Sequence, residues 1–208
     1  MCRDCRTLDK GPTVVENVLT PDEVRRVLAY CQSTKWPKLA PNRKEVVEAG
    51  ISNETFWEGR IVRGHDVEVL GVRYLMLYKR ELIKRLIHIH YDAELPLYSD
   101  TLDLVRWLKL YELRPHADNS HPNGEPNQYP WREFASVTYL SDSDRDYKGG
   151  QVYFPQWEFE SEMKPGSVCI APGGLEHMHG VREVTEGVRY TIASFYTHDK
   201  TKADRDDR

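Results

Sequence analysis

Apolar positions recur at helical spacing in the first half of this chain and at strand-like spacing in the second half. The first helical stripe consists of Val24, Val27, Leu28 and Cys31. The second lies in residues 69–92 and consists of Leu75, Leu82, Leu86 and Ile89, with Lys and Arg between them. Apolar residues three or four apart share one helix face, so both stretches are predicted to be amphipathic helices, the second one covering a sheet.

The first helix also has a recognisable start. Thr20 can accept a hydrogen bond as the N-cap, Pro21 suits the first helical position, and Glu23 stands three residues after the cap. This spacing is that of a capping box. Two short strands are also predicted, at residues 14–18 before this helix and at residues 59–63 after it in the chain.

After Asp103 the pattern changes to short β-rich runs separated by Gly, Pro, Asp and Asn. The predicted strands are residues 104–111, 134–140, 151–154, 167–171, 179–184 and 188–196. Such runs are typical of an antiparallel barrel or sandwich. We predict one α+β domain over residues 1–198, with helical support in about 1–102 and a β-core in about 103–198. Residues 199–208 are almost wholly charged or polar and are predicted to be a disordered tail.

Composition excludes several classes of function. The 208 residues carry a formal net charge of only −4, which argues against a dedicated nucleic-acid binder. The sequence has neither a run of eighteen apolar residues nor an apolar N-terminal leader, so we expect a cytoplasmic protein without a membrane span. Cys31 and Cys169 lie in apolar patterns and are predicted to be buried, whereas Cys2 and Cys5 have only the spacing of half a zinc site.

Two histidines and an aspartate form the strongest chemical signal. His116 and Asp118 are two residues apart, so in an extended segment both side chains point to the same face. His179, from a later strand, would supply a third ligand. Two imidazoles and one carboxylate are the ligand set of a mononuclear non-haem iron(II) centre, which leaves coordination positions open for other molecules.

Other histidines compete for these roles. His90 and Asp92 have the same spacing, but they end the predicted long helix, where residues two apart point in different directions. His177 shares the strand parity of His179 and is the alternative third ligand.

Several motifs, in order, resemble one family. The run from His179 to Tyr190, HGVREVTEGVRY, places a Val, a turn Gly, a basic residue and an aromatic at characteristic offsets after the histidine. Phe134–Leu140, Gly149–Pro155 and Lys164–Ile170 are similar to the family's Tyr-Leu strand, Gly-Gly turn and Pro-Gly turn. Together residues 104–196 resemble the 2-oxoglutarate/Fe(II)-dependent dioxygenases of the prolyl-4-hydroxylase-like type.

The resemblance implies a double-stranded β-helix (jelly-roll) core, with the N-terminal helices packed on one sheet. It also implies Fe(II), 2-oxoglutarate and O₂ as cofactor and co-substrates, with ascorbate as reductant. His116, Asp118 and His179 would bind the iron, and Arg189 would bind the far carboxylate of 2-oxoglutarate, helped by Thr191 and Tyr111. Because Asp118 fills the position that iron halogenases leave open for chloride, hydroxylation is expected.

The substrate is predicted to contact the long polar loop after Asp118. Its candidate residues are His121, Tyr129, Trp131 and Arg132, and Trp57 is a candidate for a wall of the pocket. The preferred substrate is a small polar metabolite such as a free amino acid. The alternative is a prolyl-type peptidyl hydroxylase, and a third hypothesis is a non-catalytic metal-binding β-barrel. The sequence does not indicate an oligomeric state.

Overall fold

The computed structural model describes residues 10–37, 59–161 and 163–207. Within this part the chain forms two α-helices, α1 (Pro21–Ser33) and α2 (Leu70–Tyr91). The strands of the first half and centre are β1 (Thr13–Val15), β2 (Ile61–Arg63), β3 (Tyr98–Leu108), β4 (Leu113–His116), β5 (Phe134–Tyr139) and β6 (Tyr147–Gly149). The remaining strands are β7 (Val152–Phe154), β8 (Phe159–Ser161), β9 (Val168–Pro172), β10 (His179–Val181) and β11 (Val184–Thr197).

The strands form two antiparallel sheets that confirm the jelly-roll prediction. The major sheet has the order β1-β9-β5-β11-β3-β2, with β6 paired to the start of β11. The minor sheet has the order β4-β10-β7-β8. All six predicted β-rich runs of the core contain an observed strand, because their alternating apolar residues face the space between the sheets or the helices. Strands β4, β6 and β8 were not predicted.

Helix α1 begins as its sequence predicts. The Thr20 side chain accepts a hydrogen bond from the Glu23 N–H, and Glu23 Oε2 accepts one from the Thr20 N–H at 2.7 Å, which completes the capping box. Glu23 Oε2 also lies 2.8 Å from Lys79 Nζ on α2. The cap therefore fixes the helix start and ties the two helices together.

Helix α2 exists where predicted, but it buries a different face from the one expected. Its buried apolar residues are Val72, Met76, Ile83, Ile87 and Tyr91. Ile89 of the predicted stripe is 65% exposed, and Leu75, Leu82 and Leu86 only border the core. Lys79, Arg80 and Lys84 lie on the buried face. Because these residues are charged, the spacing of apolar residues did not identify this face as the buried one.

The prediction of a disordered tail is wrong for the residues described. Residues 200–202 and 205–207 form short 3₁₀ turns. Asp207 Oδ1 lies 2.6 Å from Lys84 Nζ and 3.0 Å from Arg80 Nη2, and Asp206 pairs with Arg73 at 2.7 Å. A segment that composition marks as polar is thus ordered by ion pairs with the cations of α2.

The apolar interior has two main parts. The larger cluster joins both helices to the outer face of the major sheet and includes Val27, Met76, Ile87 and Leu104. Smaller clusters fill the space between the two sheets. Cys31 and Cys169 are buried, as predicted, whereas Cys2 and Cys5 lie outside the described residues. In the described part, no helix has the length and apolar character needed to cross a membrane.

Candidate metal centre and co-substrate pocket

The three predicted metal ligands converge at the rim of the minor sheet. His116 ends β4 and His179 begins β10, and the antiparallel register places them opposite each other. Asp118 follows β4 after one intervening residue. His116 Nε2 and His179 Nε2 lie 3.7 Å and 3.9 Å from Asp118 Oδ1, respectively. The ligand atoms of all three lie within 4.8 Å of one another, close enough to surround one ion.

Backbone carbonyls orient both imidazoles. His116 Nδ1 lies 3.0 Å from the Arg114 carbonyl oxygen, and His179 Nδ1 lies 3.1 Å from the carbonyl oxygen of His177. A carbonyl can only accept, so Nδ1 carries the proton in both rings and Nε2 presents a lone pair. Backbone contacts of this kind are usual behind metal-binding histidines.

The electrostatics of the cluster also suit a cation. Burial, together with neighbouring His179, lowers the pKa of His116, although Asp118 opposes the shift. The ring is therefore neutral at physiological pH, the form that binds metals. Asp118 is 6% exposed, and its Oδ2 has no hydrogen-bond partner among the described residues. A buried carboxylate oxygen without a donor is costly, and a divalent cation would stabilise it.

Gly173 allows the loop that contains Arg132 to approach Asp118. Its carbonyl oxygen accepts a hydrogen bond from the Asp118 N–H at 2.8 Å. A Cβ on this glycine would lie 2.4 Å from the Arg132 carbonyl oxygen and 3.3 Å from the Asp118 Cβ. Only glycine therefore fits between the loop and the metal ligand.

Arg189 lies on the adjacent sheet and is almost completely buried, with 1% exposure. Its Nε and Nη1 have no hydrogen-bond partner in the part of the chain that the structure describes. Its Cζ lies 4.8 Å from the centre of the Tyr139 ring and 5.3 Å from that of Trp107. A buried guanidinium with unused donors fits a carboxylate ligand.

Tyr139 and Thr191 extend this anion-binding arrangement. They are register partners on β5 and β11, and Thr191 lies two residues after Arg189 on the same strand face. The Tyr139 hydroxyl is buried without a hydrogen-bond partner among the described residues. Burial raises its pKa, so it remains a protonated donor. Arg189, Tyr139 and Thr191 therefore belong to one neighbourhood of paired strands, with a hydroxyl on two of the three side chains.

Aromatic residues connect the metal centre to the buried cation. The Phe154 ring centre lies 5.2 Å from that of His179. Phe154 and Tyr139 belong to the same apolar cluster between the sheets. Gly150 leaves room for Arg189, since a Cβ there would lie 3.1 Å from the Arg189 Cδ. The three metal-type ligands beside one sheet and the buried cation on the other therefore border the same apolar cluster.

His177, the alternative third ligand, and Tyr111 have different surroundings. His177 is buried, stacks on Trp157 with ring centres 5.1 Å apart, and contacts the Lys10 carbonyl oxygen through Nε2. It is therefore not drawn into the metal cluster. Tyr111 is buried beyond the end of β3, with Arg60 Cζ 3.5 Å from its ring centre. Its predicted contact with the co-substrate stays a prediction.

Three of the candidate substrate residues form one cluster. Arg132 Cζ lies 3.8 Å from the ring centres of both Tyr129 and Phe195. Asp100 Oδ2 accepts hydrogen bonds from Arg132 Nε at 2.8 Å and from Trp131 Nε1 at 3.0 Å.

The other two candidates lie elsewhere. His121 is exposed, and its backbone closes a turn within the loop. Trp57 lies outside the described residues.

Sequence reasoning missed several residues of this region. Trp107 and Asp100 belong to no local motif, because their importance comes from pairing between distant strands. Tyr139 carried a signal, since it ends the Tyr-Leu strand that resembles the family, but it was not assigned a role. Gly173 is followed by Gly174, and such a pair is typical of a turn but does not indicate what the turn approaches.

Comparisons with known proteins agree with this geometry. Residues 103–197 match the model of the 2OG-Fe(II) oxygenase superfamily. Human prolyl 3-hydroxylase 1 is 29% identical over 147 residues, which cover 61% of this chain and 20% of that protein. The chicken prolyl 3-hydroxylase 1 is 24% identical over 219 residues, covering 93% of this chain and 30% of its own length. The chain thus spans less than a third of these relatives.

Solved structures share the fold at low sequence identity. The viral collagen prolyl hydroxylase of Paramecium bursaria Chlorella virus-1 aligns with a TM-score of 0.63 and 12% identity, covering 90% of this chain and 96% of that one. A Pseudomonas putida prolyl-4-hydroxylase aligns with a TM-score of 0.59 and 17% identity, covering 93% and 97%. The family's requirements are Fe(II), 2-oxoglutarate and O₂, which are the cofactors that the sequence predicted. With its jelly-roll core, its His-Asp-His cluster and its matching β-core, the chain resembles the 2-oxoglutarate/Fe(II)-dependent oxygenase superfamily over residues 103–197.

Proposed function

We propose that this chain is an Fe(II)- and 2-oxoglutarate-dependent hydroxylase that acts on a proline-containing peptide. The observation that carries the proposal is the pairing of two features beside one apolar cluster. His116, Asp118 and His179 present metal-binding atoms on the minor sheet, and the buried Arg189 presents unused donors on the major sheet. A non-catalytic metal site would not need this second feature.

Each group has a role that follows from its surroundings. His116, Asp118 and His179 would hold Fe(II), and Arg189, Tyr139 and Thr191 would hold the far carboxylate of 2-oxoglutarate. When bound, iron and 2-oxoglutarate supply the oxidising power, since decarboxylation of 2-oxoglutarate by O₂ yields succinate and CO₂ and provides one oxygen atom for a C–H bond. The apolar walls around Phe154 and Trp107 exclude water, which strengthens the electrostatic interactions inside.

The peptide substrate is better supported than the free amino acid that the sequence analysis placed first. The curated relatives are prolyl 3-hydroxylases, and one structural neighbour with a TM-score of 0.63 and 14% identity is the Trichoplax adhaerens prolyl hydroxylase bound to a peptide fragment. The Tyr129–Trp131–Arg132 cluster also lies next to Asp118 through Gly173. Half-buried aromatic rings beside a cation suit a proline ring and the polar backbone on either side of it.

The test compares substrates of different size under one set of conditions. Purified protein would be incubated with Fe(II), 2-oxoglutarate and ascorbate, together with free proline, free polar amino acids or proline-containing peptides. We expect succinate formation, and a mass increase of one oxygen atom on the peptides only. Oxygen transfer to a free amino acid but not to peptides would instead support the metabolite hydroxylase.

Two histidine variants make the test specific to the site. His179→Ala is expected to abolish both succinate formation and the mass increase. His90→Ala is the matched control, because His90 belongs to a pair with the same spacing on α2 and should leave activity unchanged. Substrate-stimulated turnover that survives in His179→Ala would overturn the proposed metal centre.

A further inference from the structure

The turn that precedes β10 places His177 two residues before the predicted metal ligand His179. Residues 175–177 form this short 3₁₀ turn between β9 and β10. His179 Nδ1 donates a hydrogen bond to the His177 carbonyl oxygen at 3.1 Å, so the position of that carbonyl helps to set the orientation of the His179 ring. Whatever fixes residue 177 therefore also acts on the metal centre.

The His177 side chain is anchored by two other parts of the chain. It is 1% exposed, and its ring stacks on that of Trp157 with 24° between the ring planes. Its Nε2 donates a hydrogen bond to the Lys10 carbonyl oxygen at 2.8 Å. Trp157 Nε1 in turn donates one to the Glu176 carbonyl oxygen at 2.8 Å. The turn is thus tied to the N-terminal segment through His177 and to the chain after β7 through Trp157.

The N-terminal segment that meets His177 is itself fixed. The Tyr91 hydroxyl, at the end of α2, lies 3.0 Å from the Gly11 carbonyl oxygen. A Cβ on Gly11 would lie 2.7 Å from Trp157 Cε3, so this residue packs directly on the indole. Thr13, two residues later, begins β1, which pairs with β9. The Lys10 carbonyl is therefore held at a defined place, where it can fix the His177 ring.

Histidine is a costly residue to use only as filling at this position. Its Nδ1 is buried and has no hydrogen-bond partner among the described residues, and an atom of this kind destabilises a fold. A phenylalanine would occupy similar space and stack on Trp157 without that cost. What the histidine adds is the Nε2–H donor that binds the Lys10 carbonyl.

We propose that His177 is a positioning residue for the metal centre, whose ring links the N-terminal segment to the carbonyl that orients His179. The inference rests on the proposed function, since it assumes that His179 binds the metal ion. It gives His177 a place behind the ligand in contrast to the alternative of a direct ligand. It also makes the affinity for the metal depend on residues 10 and 11, which are distant in sequence from all three predicted ligands.

The test measures metal binding and does not depend on turnover. Purified protein is titrated with Mn(II) by calorimetry, and the visible absorption spectrum of the Co(II) form reports the geometry of the ligands. We expect His177→Phe to weaken Mn(II) binding by about 10-fold, as is usual for partners behind metal-binding histidines, and to change the Co(II) spectrum. His177→Gln keeps an N–H that can reach the Lys10 carbonyl and should restore most of the affinity and the wild-type spectrum.

The order of these two variants separates hydrogen bonding from packing. Phenylalanine keeps a ring on Trp157 and loses the donor, whereas glutamine keeps the donor and loses the ring. If the ring mattered only as packing, His177→Phe would bind Mn(II) like the wild type and His177→Gln would bind it more weakly. That order, or equal losses in both variants, would overturn the proposed role of His177.

His88→Phe is the matched control for the loss of a histidine donor. His88 Nδ1 lies 2.7 Å from the Ala93 carbonyl oxygen, so the substitution removes the same kind of contact in α2. It is expected to leave the Mn(II) affinity and the Co(II) spectrum unchanged.

Gly11→Ala tests the same connection from its other end and can be measured if His177→Phe does not fold. The added Cβ must displace Trp157 or the N-terminal segment, and both contact His177. We expect weaker Mn(II) binding, whereas Gly71→Ala, whose Cβ would meet nothing within 4 Å, should leave it unchanged. Wild-type Mn(II) affinity in folded Gly11→Ala would overturn the connection to the N-terminal segment.

The two proposals fail in different ways. A loss of Mn(II) binding in His179→Ala but not in folded His177→Phe overturns the inference about His177 alone. Wild-type protein that binds neither Mn(II) nor Co(II) overturns the proposed function and this inference together.

Discussion

Asp103 shows how strongly burial acts on a single residue in this fold. Burial raises its pKa to about 6, and Arg63, whose Nη1 lies 2.6 Å away, offsets the shift only in part. A raised carboxyl pKa means that the folded state holds its proton more tightly than the unfolded state. The contribution of Asp103 to stability is therefore lost as the pH rises from about 4 to about 6.

We predict that Asp103→Asn becomes progressively more stable than the wild type over this pH range. The amide keeps the size of the side chain and has no charge to desolvate. Over this pH range the free energy of unfolding of the variant should rise, relative to that of the wild type, by at most about 2–3 kcal/mol. Urea denaturation at several pH values measures it, with the exposed Asp66→Asn as control. A difference that does not change with pH would contradict the assignment.

At this scale, sequence reasoning named residues that the structure brings together where their proximity depends on local spacing. His116 and Asp118 were found because residues two apart in an extended segment share a face, and His179 because a family motif follows it. Asp100 was not found as a site residue, because its neighbours Trp131 and Arg132 lie many positions away. Only strand pairing brings these side chains together, and the spacing of residues within one segment does not predict which strands pair.

At the scale of elements, helix α2 and the turn at residues 205–207 depend on each other. The predicted α2 had the right boundaries and the wrong buried face, because three cations occupy buried positions. Arg80 and Lys84 are only 4% and 7% exposed as side chains, and Asp207 pairs with both. Glu81 of the same helix also contacts both cations, so the helix and the turn neutralise them together.

We predict that Asp207→Asn destabilises the protein by up to about 3 kcal/mol, since it leaves two buried cations with only the half-exposed Glu81 as a carboxylate partner. Thermal or urea unfolding measures the loss. The matched control is Glu160→Gln, which breaks the exposed pair with Arg182 and should cost less than about 1 kcal/mol. Equal effects of the two substitutions would mean that the turn does not stabilise α2.

At the scale of the whole molecule, the proposed site joins the two sheets. The metal-type ligands lie on or beside the minor sheet, and Arg189 lies on the major sheet. A 2-oxo acid that chelates a metal ion while its far carboxylate reaches Arg189 would connect them, so its binding should depend on the metal.

We therefore predict that 2-oxoglutarate raises the melting temperature by several degrees with Mn(II) present and much less without it. Differential scanning calorimetry of the four combinations measures this coupling. Succinate, which lacks the 2-oxo group, is the control and should show weaker dependence on the metal. Equal stabilisation by 2-oxoglutarate with and without Mn(II) would argue against shared binding.

The position of β11 also has a consequence for synthesis of the chain on the ribosome. Residues 184–197 pair with β3, β5 and β6, which all emerge earlier. Until β11 is available, β3 and β5 have no common neighbour, and their unpaired backbone groups are open to other chains. Completion of the major sheet must therefore wait for a late segment with distant partners, a feature associated with slow folding. Protection of nascent chains that stop before Val184 by a chaperone would follow directly from this topology.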